Sequence, residues 1–305
     1  MINKTEELVL VGFGRLQNLK HLVFMFFFMV YIATLLGNFL IILLVLKSHQ
    51  LHIPMYYFLL HLSVCDIVFT TNIAPTMLHN LLLDLGKTSM KHCISQFYMY
   101  GTSTITECYI LTLMSYDRYL AICKPLHYTS TMDINFCLRL VGGSWLSGLL
   151  ITLCTSIMVF NRDFCGPNII DHFMCELAPL LKLSCSDTTS VEVVVFVLSI
   201  PIIVIPFVFI VVTYINIFIT VLKIPSTSGR QKTFSTCSSH LTSVGTYYGT
   251  LTILYVVPKR GPLLNVKKAL HLLYTVVTPL FNPVIYSLRN QDIRKAIQML
   301  LFKKR

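Results

Sequence analysis

Long apolar runs separated by short polar segments make up most of the chain. A run of about 20 apolar residues is long enough to cross a lipid bilayer as a helix. Seven such runs are present, and Gly, Ser, Thr and Asn inside them suit helices that pack against other helices. Their approximate bounds are 22–46, 55–83, 93–123, 139–160, 191–222, 233–257 and 269–288. The pattern predicts an all-α membrane protein with a seven-transmembrane helix bundle.

The segment that follows the seventh run has a different pattern. In residues 291–302, Ile293 and Ala296 fall on one helical face and Arg294 and Lys295 on the other. This amphipathic pattern predicts a short helix on the inner membrane surface. No internal repeat or linker divides the chain, so we expect one domain over residues 1–305. Its parts are an extracellular N-terminus (1–21), the helix bundle (22–288) and a cytoplasmic tail (289–305).

Composition supports membrane insertion and argues against nucleic acid as a partner. The 305 residues are 55% hydrophobic and 12% charged, whereas a soluble domain is about 25% charged. The net charge of +11 comes from residues in short loops and the tail, not from a soluble basic domain. We therefore expect membrane lipid, and no nucleic acid, among the partners.

Three weak signals agree on the orientation. The tail is rich in Lys and Arg, which favours a cytoplasmic location. Asn3 begins a glycosylation sequon, and four cysteines fall on the face opposite the tail. We expect an outer N-terminus with a possible glycan at Asn3, and a first span that acts as a signal-anchor.

The cysteines of the long fourth loop, residues 161–190, are candidates for disulfide bonds. Cys165, Cys175 and Cys185 lie in this loop, and Cys93 begins the third run. In an oxidising compartment these four would form disulfides, but three connectivities are possible. A metal site that uses cysteine and His172 is a weaker alternative, because no CxxC pair is present.

Two acidic residues lie inside apolar runs. Asp66 and Glu107 would each be costly in lipid, so both should face the bundle and find polar partners. Asn38 and Asn282 are suitable neighbours. An oxygen-rich cluster of this kind can hold Na⁺, and protonated, hydrogen-bonded acids are an equally good interpretation.

Two further features have a static and a switching interpretation. Asp117 and Arg118 end the third run, where they are either an interfacial charge pair or a polar switch that one state restrains. Pro279 and Pro283 interrupt the seventh run and favour kinks. A kinked, polar helix can hold two packings of similar energy, whereas the simpler alternative is a fixed kink.

Residues 114–128, MSYDRYLAICKPLHY, resemble the signature that follows the third helix of odorant receptors, a branch of the rhodopsin-like G-protein-coupled receptors. Other segments extend the resemblance over nearly the whole chain; they are LHIPMYYFL (51–59), LSVCD (62–66), CGPNIIDHFMC (165–175), RQKTFSTCSSH (230–240) and TPLFNPVIYSLRN (278–290). The PLHY segment resembles the terrestrial, class II subgroup. Thr213 departs from the usual serine before Tyr214, and we expect Tyr214 to keep its role.

The resemblance implies specific roles. It pairs Cys93 with Cys175 and Cys165 with Cys185, and it places Asp66 and Glu107 in a sodium site. No other cofactor is implied. The implied G-protein coupling and switch residues are Asp117, Arg118, Tyr119, Tyr214, His240, Asn282, Pro283 and Tyr286.

A small-molecule site would fit in the outer half of the bundle. Tyr100, Thr104 and Glu107 share one face of the third helix by their spacing. Such stripes are more often ordinary packing than ligand contacts. The candidate ligand-binding residues are Tyr100, Thr104, Leu198, Ile202, Leu251, Tyr255, Leu272 and Thr275. Their mostly apolar character suits a small, largely neutral, hydrophobic ligand, and Lys259 and Arg260 could meet a carboxylate.

The resemblance implies a plasma-membrane odorant receptor rather than an enzyme. It would bind volatile molecules and activate a heterotrimeric stimulatory G protein of the olfactory type, which raises cyclic AMP. A transporter or channel is the main alternative, although the internal repeats it predicts are not visible. An intramembrane hydrolase lacks a convincing motif, and a peptide or lipid receptor of the same fold remains open.

Overall fold

The computed structural model describes residues 7–12, 19–83, 86–165, 167–256 and 263–302. Most of these residues are helical. In chain order the helices are α1 (Lys20–Lys47), α2 (Pro54–Leu82), α3 (Met90–Cys123), α4 (Pro125–Thr131), α5 (Ile134–Phe160), α6 (Leu177–Leu181), α7 (Thr189–Ser199), α8 (Ile205–Leu222), α9 (Thr227–Val256), α10 (Leu263–Arg289) and α11 (Gln291–Phe302).

The predicted seven-helix bundle is confirmed. Its spans are α1, α2, α3, α5, the α7–α8 pair, α9 and α10. One turn of π-helix, Ile200–Val204, joins α7 to α8 and holds the first of two prolines, Pro201 and Pro206. By length and composition alone, four described segments are apolar enough to cross a membrane: Lys20–Lys47, Pro54–Leu82, Ile134–Phe160 and Thr189–Leu222.

The outer surface of the bundle is apolar. Leu22 and Phe26 of α1 are 68% and 59% exposed, and Phe196 of α7 is 69% exposed. Buried positions, by contrast, include the polar residues Asn38 and Asp66. A bundle with apolar side chains outside and polar side chains inside is suited to lipid, because lipid solvates the outer face and the interior pairs the polar groups.

Helices α3 and α5 approach each other closely through small residues. A Cβ atom built on Gly148 of α5 would lie 2.8 Å from the Thr102 carbonyl oxygen and 2.7 Å from Thr106 Oγ1. One on Gly101 of α3 would lie 2.6 Å from Thr152 Cγ2. Glycine at these two positions therefore allows the contact, as small residues commonly do between membrane helices.

A small β-sheet at one end of the bundle was not predicted. Strand β1 (Glu7–Leu10) pairs antiparallel with β2 (Gly86–Ser89) and parallel with β3 (Ile169–Ile170). Leu8 and Leu10 of β1 are buried in the same apolar cluster as the Cys93 and Cys175 side chains. The N-terminal segment thus packs on the fourth loop. We call this end of the bundle the sheet end, and the end that carries α11 the tail end.

Candidate functional site

Helices α3 and α9 and the π-turn meet in the half of the bundle nearer the sheet end. The Tyr247 hydroxyl donates to the Thr104 carbonyl oxygen at 2.8 Å. Cys108 Sγ donates to the Ile202 carbonyl oxygen at 2.8 Å and lies 2.9 Å from the Tyr248 hydroxyl. A thiol has one proton, so Tyr248 donates to the sulfur. These hydrogen bonds join α9, α3 and the π-turn at two of the candidate ligand-binding residues, Thr104 and Ile202.

Aromatic side chains from α2, α3 and α10 form the adjoining wall. The Tyr100 ring lies 5.4 Å from Phe69 and 6.2 Å from His271, measured between centroids. Tyr274 lies 5.8 Å from Phe69 and 6.1 Å from Tyr247. The wall therefore runs continuously from α2 to α9, and Tyr100, a predicted ligand residue, is part of it.

The threonine hydroxyl groups of this region are turned to their own helices. Thr104 Oγ1 donates to the Tyr100 carbonyl oxygen at 2.9 Å, and Thr275 Oγ1 donates to that of His271 at 3.0 Å. With its proton engaged, each hydroxyl can still accept a hydrogen bond. The region is therefore apolar and offers acceptors rather than free threonine donors.

The remaining predicted ligand residues differ in exposure. Leu251 and Ile202 are buried at 3% and 8% exposure. Leu198 is partly exposed on α7, and Leu272 is partly buried against the main core. The Tyr255 side chain lies outside the described residues, as do Asn3, Lys259 and Arg260.

The fourth loop is fixed over the sheet end. Disulfides join Cys93 to Cys175 and Cys165 to Cys185, the pairing that the resemblance implies, with Cα–Cα distances of 5.2 and 5.8 Å. The backbone N–H of Cys175 donates to Gln96 Oε1 at 2.8 Å. The sequence analysis missed Gln96, whose position one helical turn after Cys93 was the available signal.

His172, Glu176 and His271 gather beneath this loop. His172 Nε2 and His271 Nδ1 lie 3.7 and 3.6 Å from Glu176 Oε2. Because Cys165, Cys175 and Cys185 are in disulfides, they do not form the metal site with His172 that the sequence left as an alternative. Glu176 and His271 were missed, since they are far apart in sequence and only the fold brings them together.

A second polar cluster lies in the middle of the bundle. Asn282 Nδ2 donates to Asp66 Oδ2 at 3.0 Å, and Oδ1 of the same carboxylate lies at 3.3 Å. Glu107 is close enough to interact electrostatically with Asp66, and all three side chains are buried. Two further buried oxygens, Oδ1 of Asn38 on α1 and Oγ of Ser103 on α3, have no hydrogen-bond partner among the described residues. The fold thus brings together Asp66 and Glu107, the two residues that the resemblance assigns to a sodium site.

At the tail end, the Asp117 carboxylate has two partners. Arg118 donates to Asp117 Oδ2 from Nη2 at 2.9 Å and from Nε at 3.1 Å. The Tyr128 hydroxyl of α4 donates to Oδ1 at 2.8 Å. Asp117 is fully buried and the Arg118 side chain is 13% exposed. Arg118 is therefore restrained, and Tyr128 is a member of this arrangement that we did not predict as a functional residue.

The predicted pair Tyr214 and His240 joins α8 to α9. The Tyr214 hydroxyl contacts His240 Nδ1, and His240 Nε2 lies 3.1 Å from the Leu111 carbonyl oxygen. Because a carbonyl only accepts, Nε2 carries the proton and Nδ1 accepts from Tyr214. His240 therefore connects α8, α9 and α3 at one buried point. Tyr286 is also buried in this half of the bundle, whereas Tyr119 is only partly buried against the core.

Helix α11 is held by a cap that we did not predict. Asn290 Oδ1 accepts from the backbone N–H groups of Asp292 and Ile293 at 3.0 and 3.2 Å. The Tyr56 hydroxyl of α2 lies 3.0 Å from Asn290 Oδ1 and 2.9 Å from Asp292 Oδ2. Asparagine before an amphipathic segment is a recognised N-cap signal and could have revealed this role.

Comparison with a solved structure identifies the fold of this bundle. Squid rhodopsin has the same fold, with a TM-score of 0.74 over 94% of this chain and 81% of that one, at 17% sequence identity. The chain therefore has the seven-helix fold of rhodopsin.

The family follows from sequence. A family model described as olfactory receptor matches residues 27–304. Human olfactory receptor 11L1 is 45% identical over 97% of this chain and 92% of its own length. Mouse olfactory receptor 5P55 is 45% identical over 97% of this chain and 96% of its own length. The chain belongs to the olfactory receptor family, and it is accordingly a plasma-membrane odorant receptor rather than an enzyme.

Proposed function

We propose that this receptor binds a small, mostly neutral, hydrophobic volatile molecule between α3, α9 and α10, and that binding activates a stimulatory olfactory-type G protein to raise cyclic AMP. The expected ligand chemistry follows from the side chains that line the candidate pocket. Most of its described side chains are aromatic or aliphatic, and its threonine hydroxyls are engaged with their own helices. Such a lining favours apolar ligands with one or two acceptors or donors.

Helix α9 carries the signal in this proposal. Tyr247 and Tyr248 contact α3 beside the candidate pocket, where Cys108 of α3 also bonds the π-turn. His240 contacts α8 and α3 further towards the tail end. A ligand that repacks the two tyrosines therefore acts on the same helix that holds the Tyr214 contact. This arrangement is the observation that carries the proposal.

Activation then requires release of Arg118. The bonds of Asp117 to Arg118 and Tyr128 hold the described state, and outward movement of the tail end of α9 frees Arg118 for the G protein. The ligand shifts this equilibrium only by its difference in affinity for the two states. With the sheet end outside the cell, the disulfides lie in an oxidising compartment, and the basic tail faces the cytoplasm, where the G protein is.

A screen of chemically diverse odorants with a cyclic AMP readout tests this function. Arg118→Ala should abolish the odorant response at unchanged surface expression. Arg139→Ala removes an exposed arginine whose guanidinium contacts its own helix, at the Asn135 carbonyl oxygen and the Phe136 ring, and should respond like wild type. An undiminished response in Arg118→Ala would contradict the mechanism, and a receptor that responds to peptides or lipids but to no odorant would contradict the ligand class.

We also propose that Asp66 and Glu107 hold Na⁺ in the described state. Buried carboxylate, amide and hydroxyl oxygens suit this hard cation, and the unpaired Asn38 Oδ1 and Ser103 Oγ offer further ligands. Replacing external and internal Na⁺ with choline should shift odorant potency in wild type and leave it unchanged in Asp66→Asn. Equal Na⁺ dependence in both would sink this assignment and favour protonated acids.

A further inference from the structure

A series of aromatic rings leads from the lipid-facing surface of α8 to the candidate pocket. The Phe207 side chain is 42% exposed on that surface, and its ring centroid lies 4.9 Å from that of Tyr248, which is only 5% exposed. The centroid of Tyr247 lies 5.2 Å from Tyr248 and 6.1 Å from Tyr274, which belongs to the aromatic wall of α2, α3 and α10. Phe207 thus contacts lipid on one side and the first buried ring of the series on the other.

We propose that hydrophobic odorants enter the candidate pocket from the lipid bilayer, through the contact between α8 and α9, and that Phe207 is the side chain that moves to admit them. The position of the odorant site is taken from the proposed function, on which this entry route rests. Water expels apolar molecules, so a hydrophobic odorant is concentrated in the lipid around the receptor. An entrance on the lipid-facing surface therefore draws on the larger supply of ligand.

The backbone that precedes the exposed ring has an interrupted hydrogen-bond ladder. In the π-turn, the N–H of Ile205 bonds the carbonyl oxygen of Ile200 rather than that of the residue four positions back. Pro206 has no N–H, and the Ile202 carbonyl oxygen accepts from Cys108 Sγ at 2.8 Å instead. Helices bend most readily at prolines and π-turns, so this part of the span is suited to local movement.

The lipid-facing side of this span suits neutral molecules. The sequence has no charged residue between Glu192 and Lys223. Val204 and Val208, on the same helical face as Phe207, are 50% and 53% exposed, so an arriving molecule meets aliphatic surface. A carboxylate or an ammonium group would lose its water without gaining a partner, at a high cost. The route therefore favours the neutral ligands that the candidate pocket also suits.

The strand and loop at the sheet end are closely packed by comparison. Leu8 and Leu10 of β1 are 0% and 3% exposed, and Phe173 of the fourth loop is 3% exposed. A Cβ atom built on Gly12 would lie 2.7 Å from the Phe173 Cα atom, so the N-terminal segment lies directly against the loop backbone. Passage between these two described segments requires backbone to separate, whereas passage beside Phe207 requires one side chain to move.

Photolabelling of the full-length receptor in lipid nanodiscs tests the route. The probe is (trifluoromethyl)phenyldiazirine, a small neutral arene that dissolves in lipid, and mass spectrometry locates the labelled residues. In wild type we expect label on Tyr247 and Tyr274, which are each 1% exposed and lie behind Tyr248 in the series. A sulfonated form of the same diazirine is charged and stays in water, so it should leave these two tyrosines unlabelled.

Variants at the entrance test the role of Phe207. Phe207→Ala should raise labelling of Tyr247 and Tyr274 about 2- to 10-fold, the factor that corresponds to the loss of one aromatic contact. Phe207→Trp should lower it, because the larger ring fills the entrance. Phe196→Ala is the matched control, since Phe196 is 69% exposed on α7 of the same span, and it should leave this labelling unchanged. Melting temperatures show whether each variant folds.

Three results would overturn entry from lipid. They are equal labelling of Tyr247 and Tyr274 in wild type and both Phe207 variants, no label on these tyrosines in wild type and Phe207→Ala, and labelling by the sulfonated probe that matches the neutral one. The experiment needs neither odorant nor G protein. A receptor that is labelled as expected but responds to no odorant would contradict the proposed function alone.

Discussion

The Asn38 side chain of α1 donates to the carbonyl oxygen of Pro279 in α10 at 3.0 Å. Pro283 lies four residues after Pro279 and has no N–H, so it cannot complete the helical hydrogen bond to that oxygen. Asn38 replaces the missing donor from a neighbouring helix. The pairing shows how a proline-interrupted helix is kept in a bundle where water does not reach the backbone.

Asn38→Leu should therefore destabilise the receptor. It leaves the Pro279 carbonyl buried without this donor, at a cost of about 1–3 kcal/mol. The free energy of unfolding in detergent measures the effect. Asn216→Leu is the control, because Asn216 is exposed on α8 and its side chain donates to the Val212 carbonyl oxygen of its own helix. Equal losses in both variants would contradict the role of Asn38.

Gly148→Ala should also be destabilising. The added methyl meets the Thr102 backbone oxygen at 2.8 Å, and backbone gives way less easily than a side chain, so we expect a loss of about 1–3 kcal/mol. Gly142→Ala is a matched control on the same helix, since a Cβ there meets nothing within 4 Å. It should be neutral or stabilising by up to about 1 kcal/mol. Thermal melting of the purified variants measures both effects. A Gly148→Ala receptor as stable as wild type would refute the close α3–α5 contact.

Tyr128→Phe should raise basal cyclic AMP per receptor at the surface. The change removes the hydrogen bond to Asp117 and leaves the Arg118 pair, so the restrained state loses about 1.5–3 kcal/mol. Burial and the neighbouring Asp117 carboxylate raise the pKa of Tyr128, so its hydroxyl remains a donor throughout the physiological pH range. Tyr98→Phe, at the opposite end of α3, should leave basal signalling unchanged. Basal activity at or below wild type in Tyr128→Phe would count against a restraining role.

Cys108 and Tyr248 should act as a coupled pair. Their side chains meet at 2.9 Å, and Cys108 also bonds the Ile202 carbonyl, which Pro206 cannot reach with an N–H. A double-mutant cycle of Cys108→Ala and Tyr248→Phe on odorant potency should give a coupling energy of about 0.5–3 kcal/mol. If the effects of the two substitutions simply add, the two residues are not coupled. The control is the same cycle with Thr252→Val and Cys108→Ala. The Thr252 hydroxyl donates to the backbone carbonyl oxygen of Tyr248 and not to its side chain.

Much of the architecture could be read from the chain. The apolar runs predicted the number of spans, because a helix needs about 20 apolar residues to cross a bilayer. The period of residues 291–302 predicted α11, whose bounds agree with it. The π-turn, α4, α6 and the sheet were not predicted, since short elements depend on partners that are distant in sequence rather than on local periodicity.

The sequence by itself determined the class of protein, the membrane spans and the residues Asp66, Asp117, Arg118 and Asn282 that bilayer energetics make costly unless paired. Only the tertiary structure decided other polar contacts: Tyr128 with Asp117, Asn38 with the carbonyl that Pro283 leaves unpaired, and His271 with Glu176. The physical reason is that burial cost is a property of one residue, whereas a hydrogen bond or metal site needs two or three side chains within a few ångströms. That proximity arises only when helices pack.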